Sequence, residues 1–141
     1  NFSTITISPF RSSALYFGFI QSNIFGAATQ PTIYSAAKGV VIKIDTTTEN
    51  NVQLYSVTIA HNVHVTTVVS RLANTSRKVG DFVNQNDVIG IASSSNQGEI
   101  TRFSVFLDGQ VVCPYSFVSS EARAILATRF AFFSNQAPCQ L

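Results

Sequence analysis

The chain has 141 residues, of which 45% are hydrophobic and 11% are charged, and its formal net charge is +2. This length suits one domain, and the low charge together with many aromatic residues excludes a mainly disordered chain. Apart from Arg77 and Lys78 the basic residues are scattered singly. The basic stripe typical of nucleic-acid binding is therefore missing, and no apolar stretch approaches the ~20 residues of a membrane-spanning helix.

The first half of the chain predicts a short N-terminal segment followed by strands. Alternation of apolar and polar residues, the mark of half-buried strands, dominates from Thr32 onward. The predicted elements are a strand at Ala14–Ile20, a loop at Asn23–Pro31, a strand at Gly39–Ile44, a polar turn at Asp45–Asn51 and a strand at Val52–Ile59.

The second half continues the strand pattern. β-Branched residues predict a strand over Val63–Val69, and further short strands are expected at Val88–Ala92 and Phe103–Leu107, with a loop at Ser93–Gly98 between them. Asp108 and Gly109 then predict a tight hairpin, because Asp-Gly adopts the positive φ angles of a primed turn at low cost.

The pattern changes to helical near the C-terminus. Ser119 is a candidate N-cap for a helix over Ser119–Phe132, whose packed face would carry Ile125, Leu126 and Phe130. We expect one domain over residues 1–141, with an N-terminal segment at 1–31, a β core at 32–118, and a C-terminal helix and tail at 119–141.

The two cysteines, Cys113 and Cys139, both lie in the last quarter of the sequence. They are either one disulfide or two buried thiols, and a disulfide would close a loop of about 25 residues and stabilise the fold by ~3 kcal/mol. The chain starts at Asn1, contains no methionine and shows no leader. We therefore expect a processed, exported protein, and in its oxidising compartment we expect the disulfide to form.

The segment Val79–Gly90 carries a pattern with a known parallel. It resembles the run V-x-x-G-D-x-V-x-x-G-x-x-I-G, which lysostaphin-type (LytM) zinc endopeptidases share with sugar-permease enzyme IIA domains and with biotinyl or lipoyl carriers. Segments at Ile33–Val41, Val57–Asn62, Thr67–Leu72 and Phe103–Pro114 are similar to further LytM strands and occur in the family's order. The chain thus resembles the lysostaphin-type family over about residues 20 to 118.

The resemblance also places the family's zinc and catalytic positions. The family has an H-x-x-x-D pair, a lone histidine and an H-x-H pair, and the matching positions of this chain are Ile20, Ile24, Arg71, Ile100 and Arg102. Isoleucine offers no donor atom and arginine is permanently cationic, so none of the five can ligate zinc. We therefore expect no catalytic residue, no metal ligand and no cofactor.

The remaining side chains that could bind a metal or take part in catalysis form no clear site. His61 and His64 are the only histidines, and three positions apart on one strand they would project to opposite faces. A replacement metal pair is one interpretation, and a hydrogen-bonded strand histidine is the other. The sequence contains no nucleophile–base signature and no glycine-rich phosphate loop.

Arg71 and Arg102 would lie on neighbouring strands at the floor of the groove that holds zinc in the family. In one interpretation they form an anion-binding groove, because guanidinium groups bind carboxylates with two parallel hydrogen bonds. In the other, each pairs with a local acid such as Glu99 or extends its charged end to water.

The resemblance implies an all-β fold, a two-sheet β-sandwich or barrel of the duplicated hybrid motif with a C-terminal helix. It implies a non-catalytic scaffold or protein-binding module of a bacterial envelope assembly, such as a secretion or division complex, in the periplasm or outside the cell. Its partners would be other protein subunits, and peptidoglycan is a further candidate ligand. The alternative functions are a phage-tail or virion structural domain, a hydrolase with another site, and a lipoyl or biotinyl carrier.

Overall fold

The computed structural model describes residues 5–6, 14–19, 30, 32–93 and 101–124, and for residues 5–6 and 14–19 it describes the backbone alone. The described residues form ten strands, a 3₁₀ turn and the start of a helix at residues 120–124. The strands and the turn are β1 (Ile5–Thr6), β2 (Ala14–Phe19), β3 (Thr32–Tyr34), β4 (Gly39–Glu49), β5 (Val52–Ala60), β6 (Val65–Asn74), β7 (Phe82–Val83), β8 (Val88–Ala92), β9 (Thr101–Leu107), β10 (Gln110–Val112) and the 3₁₀ turn Pro114–Phe117.

The strands pair in an antiparallel sheet with the order β1-β2-β9-β6-β5-β4-β7. Away from this path, β10 pairs with β9, and β8 pairs with both β3 and the end of β6. The sheet curls into a half-barrel. The predicted all-β fold of sandwich or barrel type is confirmed, as are strands at β2, β8 and β9.

The hydrophobic core lies on the inner surface of the curled sheet. Alternate residues of the four central strands point inward, as strand geometry requires. Fully or almost fully buried core residues are Val41, Val57, Ile59, Val69, Leu72, Val83 and Ile89. Valine and isoleucine dominate because branched side chains fill a pleated surface well.

The hairpin of β4 and β5 corrects one expectation. The segment Asp45–Asn51 was expected to be a turn, but β4 continues to Glu49 and only Asn50 and Asn51 turn, with φ angles of 50° and 63°. Asparagine tolerates positive φ, which suits a two-residue hairpin turn. Polar composition was a poor guide here because threonine favours strands even where both faces meet water.

A bulge interrupts β6 at Ser70 and Arg71. Val69 pairs with Val57 and Leu72 pairs with Tyr55, so β6 has one residue more than β5 between these two pairs. Arg71 has a φ of 63°, a left-handed conformation of the kind found in one class of bulge. Because of the extra residue, Val69 and Leu72 both point into the core.

Two further connections between strands lie in the described residues. Asp108 and Gly109 adopt φ angles of 50° and 77°, which confirms the predicted tight hairpin between β9 and β10. Strand β6 starts at Val65, whereas Val63, expected in that strand, lies in the preceding turn and is 91% exposed.

A helix begins after the 3₁₀ turn, as predicted. Residues 120–124 are helical, and the Ser119 hydroxyl accepts a hydrogen bond from the Ala122 amide at 3.2 Å, which confirms the predicted N-cap. Hydrogen bonds from its own backbone amide and from the two preceding serines lower the pKa of Glu121. Ile125, Leu126 and Phe130 lie outside the described residues. No described helix is both long and apolar enough to cross a membrane.

Candidate functional site

The outer surface of the central sheet carries the positions that the family resemblance singled out. Residues that pair across neighbouring strands share a face of the sheet. One row on the outer surface runs through Arg102, Ser70, Ser56 and Asp45, and the next runs through Ser104, Val68, Thr58 and Lys43. We call this surface of β4, β5, β6 and β9 the site face.

The bulge in β6 decides on which face Arg71 lies. In a regular strand Arg71 would point away from Ser70 and into the core. With the extra residue, Val69 and Leu72 take the two core positions, and both Ser70 and Arg71 fall on the site face. Because Arg102 pairs with Ser70, the two arginines occupy the same face on adjacent strands.

Arg71 forms an ion pair with an acid that the sequence did not single out. Its Nη1 donates a hydrogen bond to Glu49 Oε2 at 2.5 Å, from the last residue of β4. The side chain of Arg71 is 26% exposed and that of Glu49 is 45% exposed, so solvent weakens this pair only in part. A local acid therefore does bind Arg71, while Glu99, the acid expected from the sequence, lies outside the described residues.

A second ion pair lies on the same face. Lys43 Nζ and Asp45 Oδ2 are 2.9 Å apart on β4, and both side chains are largely exposed. The sequence contained a signal for these residues, since extending the strand to Glu49 places alternate residues, Lys43, Asp45 and Glu49, on one face. The site face is thus a polar surface with charges of both signs.

The arrangement does not suit a zinc ion. The guanidinium of Arg71 cannot donate a lone pair, and it already binds a carboxylate that would otherwise be a possible ligand. Within the described part of the chain, no three histidine, cysteine or acidic residues cluster closely enough to hold a metal. Ile20, Ile24 and Ile100 lie outside the described residues.

His61 and His64 lie in the turn between β5 and β6, and the expectation that both sit on a strand was wrong. The two ring nitrogens of His61 contact Lys38 O and Thr67 Oγ1, each at 2.8 Å. His64 Nδ1 lies 2.6 Å from Asp108 Oδ1 and joins this turn to the β9–β10 hairpin. Each imidazole thus holds neighbouring segments together, which favours the structural interpretation of both.

The sequence comparison decides the family. Residues 20–114 match the model of peptidase family M23. The chain belongs to this family. The match includes the positions of both arginines and begins at Ile20, the first position that the resemblance assigned to the family's metal site. A search of curated proteins finds no sequence that matches this chain.

Solved structures share the M23 fold with this chain. A peptidase M23 from Pseudomonas aeruginosa is 23% identical with a TM-score of 0.62, over 82% of this chain and 46% of that one. The catalytic domain of the prophage-encoded M23 protein EnpA from Enterococcus faecalis is 16% identical with a TM-score of 0.59, over 84% and 90% of the two chains. A chain in the complex of SpoIIIAH and SpoIIQ is 23% identical with a TM-score of 0.58, over 81% and 78%.

Some of the matching structures are much longer than this chain. It spans 28% of a zinc-containing peptidase from Vibrio cholerae and 46% of the Pseudomonas structure.

Cys113 is disulfide-bonded and 9% exposed, and it packs against Phe103 and Tyr115. Its predicted partner, Cys139, lies outside the described residues, so this pairing stays a prediction.

We expect no free thiol in the native protein without reductant and two after reduction. Reduction should lower the free energy of unfolding by ~3 kcal/mol, measured by denaturant titration. Two thiols titrating in the untreated protein would contradict the pairing.

Proposed function

We propose that this chain is a non-catalytic M23 domain that binds other protein subunits of a bacterial envelope assembly, such as a secretion or division complex. The observation that carries the proposal is the ion pair between Arg71 and Glu49 at a position where the family resemblance expects a histidine. A hydrolase of this family needs three ligands for zinc and an open position for water. The site face instead has a fixed cation bound by a carboxylate.

Two observations support a role in protein binding. Structures of the SpoIIIAH–SpoIIQ complex contain a chain with this fold, so an M23-type domain can be part of a protein complex. The site face of this chain also presents two ion pairs to solvent, and charges of both signs give an interface specificity for a matching partner. The periplasm or the cell exterior is the proposed location.

We expect the purified domain to bind no stoichiometric zinc and to release no fragments from peptidoglycan. Five positions of the family site carry isoleucine or arginine, none of which can ligate the metal. Mass spectrometry of the native protein after incubation with zinc should find well under one equivalent. The zinc-containing Vibrio cholerae peptidase, measured in parallel, is the positive control.

One equivalent of zinc, removed by a chelator together with peptidoglycan hydrolysis, would contradict the non-catalytic proposal. A binding assay on the same samples separates the two parts of the proposal. If the domain sediments with insoluble peptidoglycan but releases no fragments, it is non-catalytic and its ligand is the cell wall.

A virion structural domain is the second candidate, and one observation favours it. The EnpA domain, which shares the fold over 84% of this chain, is encoded by a prophage. Isolating the chain from its natural source separates the candidates, because it should accompany either envelope proteins or capsid and tail proteins.

A further inference from the structure

Within the described part of the chain, the outer edge of β4 is unpaired along most of its length. β4 pairs with β5 from Val40 to Glu49, but on its other side β7 pairs only with Gly39 and Val40. Among the described residues, no strand lies along the edge from Lys43 to Glu49, and the side chains at positions 45–49 are all exposed. Such an edge is a template for another strand.

The hydrogen bonds around β4 show which backbone groups point outward. Val41 donates its N–H to Asp81 O at 2.9 Å and accepts from Gly80 N at 2.8 Å, both on the β7 side. At the other end, a two-residue turn makes Glu49 and Val52 a hydrogen-bonded pair. A bulge between Val41 and Lys43 reverses the order of the two directions there, so alternation is counted from the Glu49–Val52 pair. The outward-pointing groups between the bulge and the turn therefore belong to Ile44, Thr46 and Thr48.

We propose that a second copy of this chain pairs with this edge in an antiparallel, twofold-symmetric arrangement centred on Thr46. Thr46 then lies opposite Thr46 of the second copy, and Ile44 lies opposite Thr48. All the outward-pointing N–H and C=O groups meet complementary groups, since each outward residue faces another. A twofold axis closes the pair, so no strand edge in this stretch is left to extend into a fibre.

Charge favours this register over the two neighbouring registers that the hydrogen bonds permit. Centred on Thr46, it places Lys43 opposite Glu49 of the second copy, and symmetry provides this attraction twice. Moving the centre to Thr47 places Asp45 opposite Glu49, and moving it to Asp45 places the two Asp45 side chains opposite each other. Like charges directly opposite destabilise a strand pair, so both shifted registers are disfavoured.

The space along the edge selects the same register. The free stretch has its hairpin turn at one end and β7 at the other, where Gly80 and Asp81 already bond to Val41. With the centre at Thr46, residues 43–49 of the two copies pair antiparallel along their whole length. The hairpin turn of the second copy then begins before the part of β4 that pairs with β7. Centring the pair on Asp45 would push that turn onto the occupied backbone of Val41.

We expect weak self-association, because a single pair of strands buries less surface than a standard interface. Sedimentation equilibrium should show the average mass rising with concentration. Thr46→Pro removes an N–H that points outward and leaves the bonds to β5 intact, while Thr46→Val keeps that N–H. The proline variant should dimerise at least about tenfold more weakly than the valine variant. Equal association of the two, or a constant monomer mass, would overturn the proposal.

A cross-link tests the register independently of affinity. Two Thr46→Cys chains would place the new cysteines directly opposite, within the range of Cα distances that a disulfide spans. Thr48→Cys is the matched control on the same edge, and its two copies would lie about 13 Å apart along the strands, beyond disulfide reach. We expect a covalent dimer through position 46 only, identified by mass spectrometry. Cross-linking at position 48 instead, or equally at both, would overturn this register.

Discussion

Replacing Leu72 with alanine is expected to lower the free energy of unfolding by about 2–5 kcal/mol, the largest effect of any single change considered for this chain. Leu72 is 0% exposed and belongs to the main core cluster with Val57, Val69 and Ile89. Its removal leaves a cavity that neighbouring strands cannot fill, because the bulge beside it and the pairing with Tyr55 fix the backbone.

Denaturant titration of the wild type and the variant measures this loss, with the slope m checked to be unchanged. Val63→Ala is the control, since Val63 is 91% exposed and its truncation should change stability by less than about 0.5 kcal/mol. A similarly small change for Leu72→Ala would mean that the bulge does not direct this side chain into the core. The placement of Arg71 on the site face would then be wrong as well.

The parts of the fold that the sequence predicted are those governed by local rules. Alternating apolar residues predicted β8 and β9, and Asp108–Gly109 predicted the hairpin between β9 and β10 because positive φ angles restrict the choice of residues. The end of β4 was missed because Thr46 to Glu49 are exposed and polar, as in a turn. Pairing with β5, a contact between separate segments, makes them a strand.

The site face shows a similar limit. Simple alternation places Ser70 and Arg71 on opposite faces, and only the bulge, which depends on pairing with β5, brings Arg71 onto the face of Arg102. The family resemblance predicted that these two positions belong together, without giving the physical reason. It could not predict Glu49 as the partner of Arg71, because this contact needs β4 to extend to its observed end.

An acidic ligand is expected to bind the site face through Arg71 and Arg102, and neutralising either arginine should weaken that binding. The probe is a labelled peptide with three glutamates. A charge-assisted hydrogen bond contributes on the order of 1–3 kcal/mol, so Arg71→Gln and Arg102→Gln should each weaken binding by about 5- to 100-fold. The loss should shrink as salt is raised, because ions screen partly exposed charges.

Arg77→Gln is the matched control for these variants. Arg77 lies outside the site face, and its Nε donates a hydrogen bond to Val88 O at 2.6 Å. The variant therefore removes the same charge at a different place. Fluorescence anisotropy at two salt concentrations measures all three variants, and thermal unfolding checks that each is folded. If the site-face variants bind the peptide as well as Arg77→Gln does, the arginines are ordinary surface residues. The partner would then be sought on the C-terminal helix.

Glu49→Gln is expected to change the affinity in the opposite direction. The carboxylate of Glu49 competes with any acidic ligand for the guanidinium of Arg71, to which it is hydrogen-bonded at 2.5 Å. The neutral amide competes less well, because it can still accept a hydrogen bond from the guanidinium but lacks the negative charge that attracts it. The variant should therefore bind the acidic peptide more tightly than the wild type, while Arg71→Gln binds it more weakly. If only the net charge of the domain mattered, the loss of any acidic residue would tighten binding. Asp87→Gln, outside the site face, is therefore the control. The gain is assigned to Arg71 only if this variant leaves the affinity nearly unchanged.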